Sequence, residues 1–355
     1  MGIFDKRIAF KPYEYPEVLK FREAIRLSRW DVEEYDFDDD VQDFKKRLSE
    51  EEKNVIKNTM LAISQIEAAN VKTFWANVGN VLQKPEIGMT GLTMGENEVT
   101  HSLAYSHLLE VLGLNEDFQD LLKSPVIEGR VNYLNKYLTK KVESDEKFYT
   151  LSLMLFTLFV ERVSLFSQFA VIKSFRRHKN LLKSIDNVVL STQKDELLHS
   201  QLGIYLLNII REENPEWFNE EFNERIYDAC KKAYKAELGI VEWIFEKGDL
   251  EFLTKDEIVE FTKDNFNTSL ESMGLKPLFE VNQDLLKNLE WFNVEIYAYT
   301  RNDFFNTKSA NYNKISVKPK NIKNSLRNAK TKMVQQDIQN IHEQGISEER
   351  ARYIR

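Results

Sequence analysis

Glu98 and His101 lie three residues apart, and Glu196 and His199 repeat the spacing later in the chain. On an α-helix, residues so spaced share one face, so each pair can offer a carboxylate and an imidazole to one point. The chain has only five histidines. The other three, His107, His178 and His342, have Ala104, Phe175 and Gln339 at that offset. Two further glutamates stand alone in apolar stripes, Glu67 among Met60, Ile63, Val71 and Phe74, and Glu161 among Met154, Leu158, Leu165 and Phe169. The bland alternative is a set of solvated or ion-paired side chains. Against it, an ionised carboxylate in apolar surroundings is costly unless paired or metal-bound. One Glu from each of two helices and Glu-x-x-His from each of two others form the full ligand set of a carboxylate-bridged dinuclear centre. Oxygen-rich, imidazole-capped ligation suits iron or manganese rather than structural zinc. A metal-bound histidine commonly gives its other N–H to a carboxylate, and Asp195 is the candidate acceptor for His101. Tyr105 follows His101 by one helical turn, about 6 Å of rise.

Helices must carry these residues. Ser49 and Glu52 form a capping box, and the stripe through Glu67 predicts a long helix ending near Pro85. A second helix is expected over 92–112, short ones over 115–122 and 126–138, a largely apolar one over 146–175, another over 183–212, and two or three within 219–290. No strand alternation or repeat is evident. Gly (12) and Pro (7) are scarce, as expected for an all-α protein built on a bundle. The expected organisation is an irregular N-terminal arm over 1–48, broken by Pro12 and Pro16, a helical domain over 49–305, and a flexible C-terminal tail over 306–355.

Composition narrows the function classes. No run of eighteen apolar residues or signal-peptide core is present, so no membrane is expected and the cytoplasm is the default. A single cysteine, Cys230, excludes an internal disulfide framework. The net charge is −8, but residues 313–355 hold ten Lys and Arg against four Asp and Glu, a basic tail on an acidic body. No aromatic-interleaved basic patch supports nucleic-acid binding.

With Trp30 in "SRWDVEEYDFDDD", the ordered set Glu67, Glu98, His101, Glu161, Glu196, His199, the retained Tyr105 and the exit motif "DFFNTKSANY", residues 20–312 resemble the small, radical-generating β subunit of class I ribonucleotide reductase. The resemblance implies a ferritin-like fold, a homodimer and a dinuclear site activated by a reduced oxygen species. It implies a stored one-electron oxidant that passes to a cysteine of a separate large catalytic subunit, which reduces ribonucleotides to deoxyribonucleotides. It assigns Trp30 and Asp195 to relay and supporting positions, and Tyr312 to the tail tyrosine that carries the radical between subunits.

The chain departs from the family pattern in three places. The first ligand is Glu67 rather than the usual Asp, which within this resemblance favours manganese. A dimanganese centre is therefore preferred over di-iron or manganese–iron. The oxidant is either a Tyr105 radical or the metal centre itself, and the second is favoured. Leu165 replaces the usual Phe near Tyr105, and the tail is long and basic. A ferritin-like ligand-binding manganese–iron oxidase is the alternative, but its cross-linked Val–Tyr pair would fall at Ala69 and Phe156, which cannot form it. Metal storage would leave Trp30 and Tyr312 unexplained.

Overall fold

The computed structural model describes residues 2–68, 71–138 and 145–295. The chain divides into the units Met1–Phe305 and Asn306–Arg355, and the described residues all belong to the first. Tyr312, Ala69 and the basic tail lie outside the described residues.

Among the described residues the protein is helical, with no strand and one isolated bridge between Leu250 and Leu253. The helices are α1 (Val18–Ser28), α2 (Asp38–Gln42), α3 (Glu50–Ala68), α4 (Val71–Val81), α5 (Pro85–Leu112), α6 (Asn115–Leu121), α7 (Glu128–Leu138), α8 (Glu146–Leu155), α9 (Leu165–Lys179), α10 (Lys183–Glu213), α11 (Glu220–Ile244), α12 (Lys255–Ser272) and α13 (Gln283–Leu286). A π-helical stretch, Phe156–Ser164, joins α8 to α9. The site is built by α3, α5, this stretch and α10. α3 packs on α5 and α9, and α10 packs on α5, α9 and the π stretch.

Local chemistry explains several boundaries. Glu52 N donates to Ser49 Oγ at 3.2 Å and Ser49 N donates to Glu52 Oε2 at 2.9 Å, the capping box expected at the start of α3. α4 ends at Val81, near the expected Pro85, which itself opens the next helix. Pro85 is the first residue of α5, where its missing N–H costs nothing, so α5 begins earlier than residue 92. The stripe expected as one helix runs through α3 and α4, which flank residues 69–70, outside the described residues.

Residues 1–48 are not an irregular arm. Pro12 and Pro16 precede α1, whose Val18, Phe21 and Ile25 are buried at helical spacing, and α1 packs on α5 and α10. The acidic run after it caps α10. Asp43 Oδ2 accepts from Leu182 N at 3.0 Å, and Asp40 accepts from Ser184 N at 3.2 Å and Ile185 N at 2.9 Å. These carboxylates satisfy free N–H groups at the positive end of the helix that carries Asp195, Glu196 and His199. The apolar segment within Glu146–Lys179 has the length and hydropathy of a membrane span, but 94% of it is buried inside the protein.

Candidate metal centre

Glu67 on α3, Glu98 and His101 on α5, Glu161 on the π stretch, and Glu196 and His199 on α10 converge, each nearly or wholly buried. They form two overlapping groups, Glu67, Glu98, His101 and Glu196, and Glu98, Glu161, Glu196 and His199, whose ligating atoms lie within 4.8 Å of one another.

Glu98 and Glu196 belong to both groups, and each turns one oxygen to either side. His101 Nδ1 is 3.5 Å from Glu98 Oε2 and 3.1 Å from Glu196 Oε1. His199 Nδ1 is 2.9 Å from Glu98 Oε1 and 3.4 Å from Glu196 Oε2. Glu67 stands at the His101 end, 3.8 Å from its Nδ1, and Glu161 at the His199 end, at 3.6 Å. Two carboxylates thus face both ends, one further carboxylate stands at each end, and each end has one imidazole.

The outer imidazole nitrogens are already engaged. His101 Nε2 lies 3.1 Å from Asp195 Oδ2, which also accepts from Trp30 Nε1 at 2.8 Å and Asn97 Nδ2 at 2.9 Å. His199 Nε2 lies 3.0 Å from Asn97 Oδ1. Both Nδ1 atoms, both oxygens of Glu67, Glu98 and Glu196, and Glu161 Oε2 are buried without a hydrogen-bond partner. Orphaned polar atoms of this number, all aimed at one point, are costly unless a cation joins them.

The electrostatics agree. Burial is the largest influence on Glu67 and Glu161, pushing Glu67 well above the usual carboxylate range and Glu161 up to about 8. Burial acts the same way on Glu98 but is outweighed by contacts with His101 and His199, which bring it to about 2. For both histidines, burial alone would disfavour charge. Contacts with Asp195, Glu196 and Glu98 at His101, and with Glu161, Glu196 and Glu98 at His199, raise both well above the ordinary value. Such a set calls for added positive charge.

Tyr105 is fully buried, and its hydroxyl donates to Thr192 Oγ1 at 3.4 Å. Burial and the nearby Glu67 charge raise its pKa, so it holds its proton firmly. Trp30 is nearly buried, and its ring stacks on His101 at 6.1 Å between centroids. Cys230 is buried and its thiol is pushed up to about 12, an inert group far from thiolate chemistry.

Three residues at the site escaped sequence reasoning. Asn97 bridges the two histidine systems, Thr192 meets Tyr105, and Trp75 donates its Nε1–H to Glu161 Oε1 at 2.6 Å. Asn97 and Thr192 lie four residues before His101 and Glu196, on the ligand-bearing faces. That spacing was a usable signal. Trp75 stands on α4, which carries no candidate ligand, so no spacing signal marked it.

Fold and site together define a helical-bundle protein of the dimetal-carboxylate type. The family model for "Ribonucleotide reductase, small chain" matches residues 7–285. A probable ribonucleoside-diphosphate reductase small subunit of Invertebrate iridescent virus 3 is 27% identical over 326 residues, covering 88% of this chain and 85% of the relative. The fold is shared with Streptococcus sanguinis dimanganese(II)-NrdF (TM-score 0.67, 18% identity, 80% of this chain and 97% of that one). It is also shared with an R2-like ligand-binding oxidase prepared with a Mn/Fe cofactor (TM-score 0.61, 18% identity, 75% and 95%). The chain belongs to the ribonucleotide reductase small-chain family.

Proposed function

We propose that the chain is the radical-generating small subunit of a class I ribonucleotide reductase, a cytoplasmic homodimer that acts with a separate large catalytic subunit. In this reading Glu67, Glu98, His101, Glu161, Glu196 and His199 hold a pair of metal ions, dimanganese in preference to di-iron or manganese–iron. Once loaded and treated with a reduced oxygen species, the pair supplies a one-electron oxidant for ribonucleotide reduction in the large subunit.

The observation that carries the reading is the line His101–Asp195–Trp30. A single oxygen, Asp195 Oδ2, meets both the imidazole and the indole N–H. An electron can leave Trp30 toward the site while its acidified N–H stays within hydrogen-bonding reach of a carboxylate. Trp30, two residues beyond the end of α1, is the residue on this line that the site-bearing helices do not carry. Tyr312 would continue the path across the subunit interface.

The oxidase alternative lacks its phenol. Phe156 packs its ring on Phe74 at 4.1 Å between centroids and has no hydroxyl to cross-link.

The deciding experiment loads the protein with Mn or Fe separately, activates it, records EPR spectra and assays turnover with its large subunit, for the parent and Tyr105→Phe. The hydroxyl of Thr192 is a neutral partner and a poor proton acceptor for Tyr105, so retained turnover in manganese-loaded Tyr105→Phe is expected. Loss of turnover together with a tyrosyl signal would instead make Tyr105 the radical site, and no turnover under any loading would overturn the reading. Tyr312→Phe is expected to abolish turnover while two metals remain bound. Full activity in that variant would remove Tyr312 from the path.

A further inference from the structure

The two ends of the site have different supports. At the His101 end, the outer nitrogen faces a full carboxylate, Asp195, and Trp30 donates to that carboxylate rather than to a ligand. At the His199 end, the outer nitrogen faces the neutral amide oxygen of Asn97. Here the indole, Trp75, donates directly to the terminal ligand candidate, Glu161 Oε1, at 2.6 Å. Glu161 Oε2 has no partner.

Trp75 is held tightly. It is fully buried, its ring centroid is 5.8 Å from that of His199 and 6.1 Å from that of Phe156, and Phe74 meets it edge-on at 5.9 Å. The backbone carrying it is pressed against α5. A Cβ at Gly91 would lie 2.5 Å from the Trp75 carbonyl oxygen and 2.2 Å from Val78 Cγ1. Only a glycine lets α4 approach so closely. Glu161, by contrast, sits within a π-helical stretch, where the regular backbone pattern that fixes side-chain direction is interrupted.

We infer that Trp75 is a positioning residue that pins Glu161 through one oxygen and so selectively sustains metal binding at the His199 end. An indole suits this task because it offers one donor and no acceptor. It can orient a carboxylate without competing for the ion. The inference rests on the dimetal reading above and adds to it a residue, an atom and an end of the site.

The test is titration of the full-length chain with Mn(II), followed by equilibrium dialysis and by EPR, which separates a spin-coupled pair from an isolated ion. The parent is expected to bind two ions per chain and give the coupled signal. Loss of an outer partner typically costs about 10–100-fold in metal affinity. Trp75→Phe is therefore expected to weaken one of the two ions by that factor, giving an isolated-ion signal at a concentration that fills the parent. A second variant with 3-benzothienylalanine at position 75 keeps the ring shape and replaces N–H by sulfur. It should show the same loss with an unchanged circular dichroism spectrum. Two ions at parental affinity in the benzothienyl variant, or equal weakening of both ions in either variant, would overturn the role of the Trp75 N–H. Absence of any uptake by the parent would overturn the dimetal reading itself, and the inference with it.

Discussion

Glu196→Ala is expected to leave the protein unable to retain either metal ion through desalting and, in the proposed reductase, inactive. Glu196 belongs to both ligand groups, with Oε1 turned to His101 and Oε2 to His199. One substitution therefore removes a ligand from each end and one negative charge from both. The loss should exceed the roughly 10–100-fold cost of deleting an outer partner. Folding is not expected to suffer. Both oxygens of Glu196 are buried and unpartnered without a cation, so the metal-free variant should unfold no more easily than the metal-free parent. What disappears is the stabilisation that added metal confers, about 4 kcal/mol per site at a thousand times Kd. Metal analysis and thermal scans with and without Mn(II) read both effects. Two ions retained by the variant would refute a role for Glu196 at both ends.

Arg130→Ala is expected to cost about 3–5 kcal/mol of stability. The guanidinium grips Glu237 with two bonds, Nε to Oε1 at 2.9 Å and Nη2 to Oε2 at 2.6 Å, and donates Nη1 to the Ala62 carbonyl at 3.0 Å. Both side chains are almost fully buried. They tie α7 and α11 to α3 shortly before Glu67. Deleting the arginine leaves a carboxylate with no counter-charge in the interior and an unpaired carbonyl in the core. A lowered urea midpoint with an unchanged slope is the expected reading. The double variant Arg130→Met with Glu237→Met should recover much of the loss, because it removes the uncompensated charge. A single variant as stable as the parent would show that the pair adds nothing to the bundle.

The clustering of the candidate ligands was legible because helical periodicity is local. Three-residue spacing puts Glu98 with His101 and Glu196 with His199 on shared faces wherever the helices end up. The isolation of Glu67 and Glu161 among apolar residues is also a property of neighbouring positions, since it reflects the cost of burying an unpaired carboxylate. The all-helical class follows from the same periodicity. Where competing local signals met, the sequence reading went astray. Pro85 reads equally as the end of one helix or the first turn of the next, and the prolines before α1 hid its apolar stripe of Val18, Phe21 and Ile25.

The order of residues along the chain sets which of them could bind metal and that helices would carry them. It could not determine which oxygen of Glu98 or Glu196 faces which histidine, because that depends on how α5 and α10 are rotated against each other. It could not show that Asn97 joins the two imidazoles or that Trp75 meets Glu161. Those contacts join residues 102 and 86 positions apart in the chain. They exist only because α4 and α5 close onto each other at Gly91 and the acidic run at Asp40 and Asp43 seats the start of α10. Local spacing carries the chemistry of each helix face, whereas packing alone decides which faces meet.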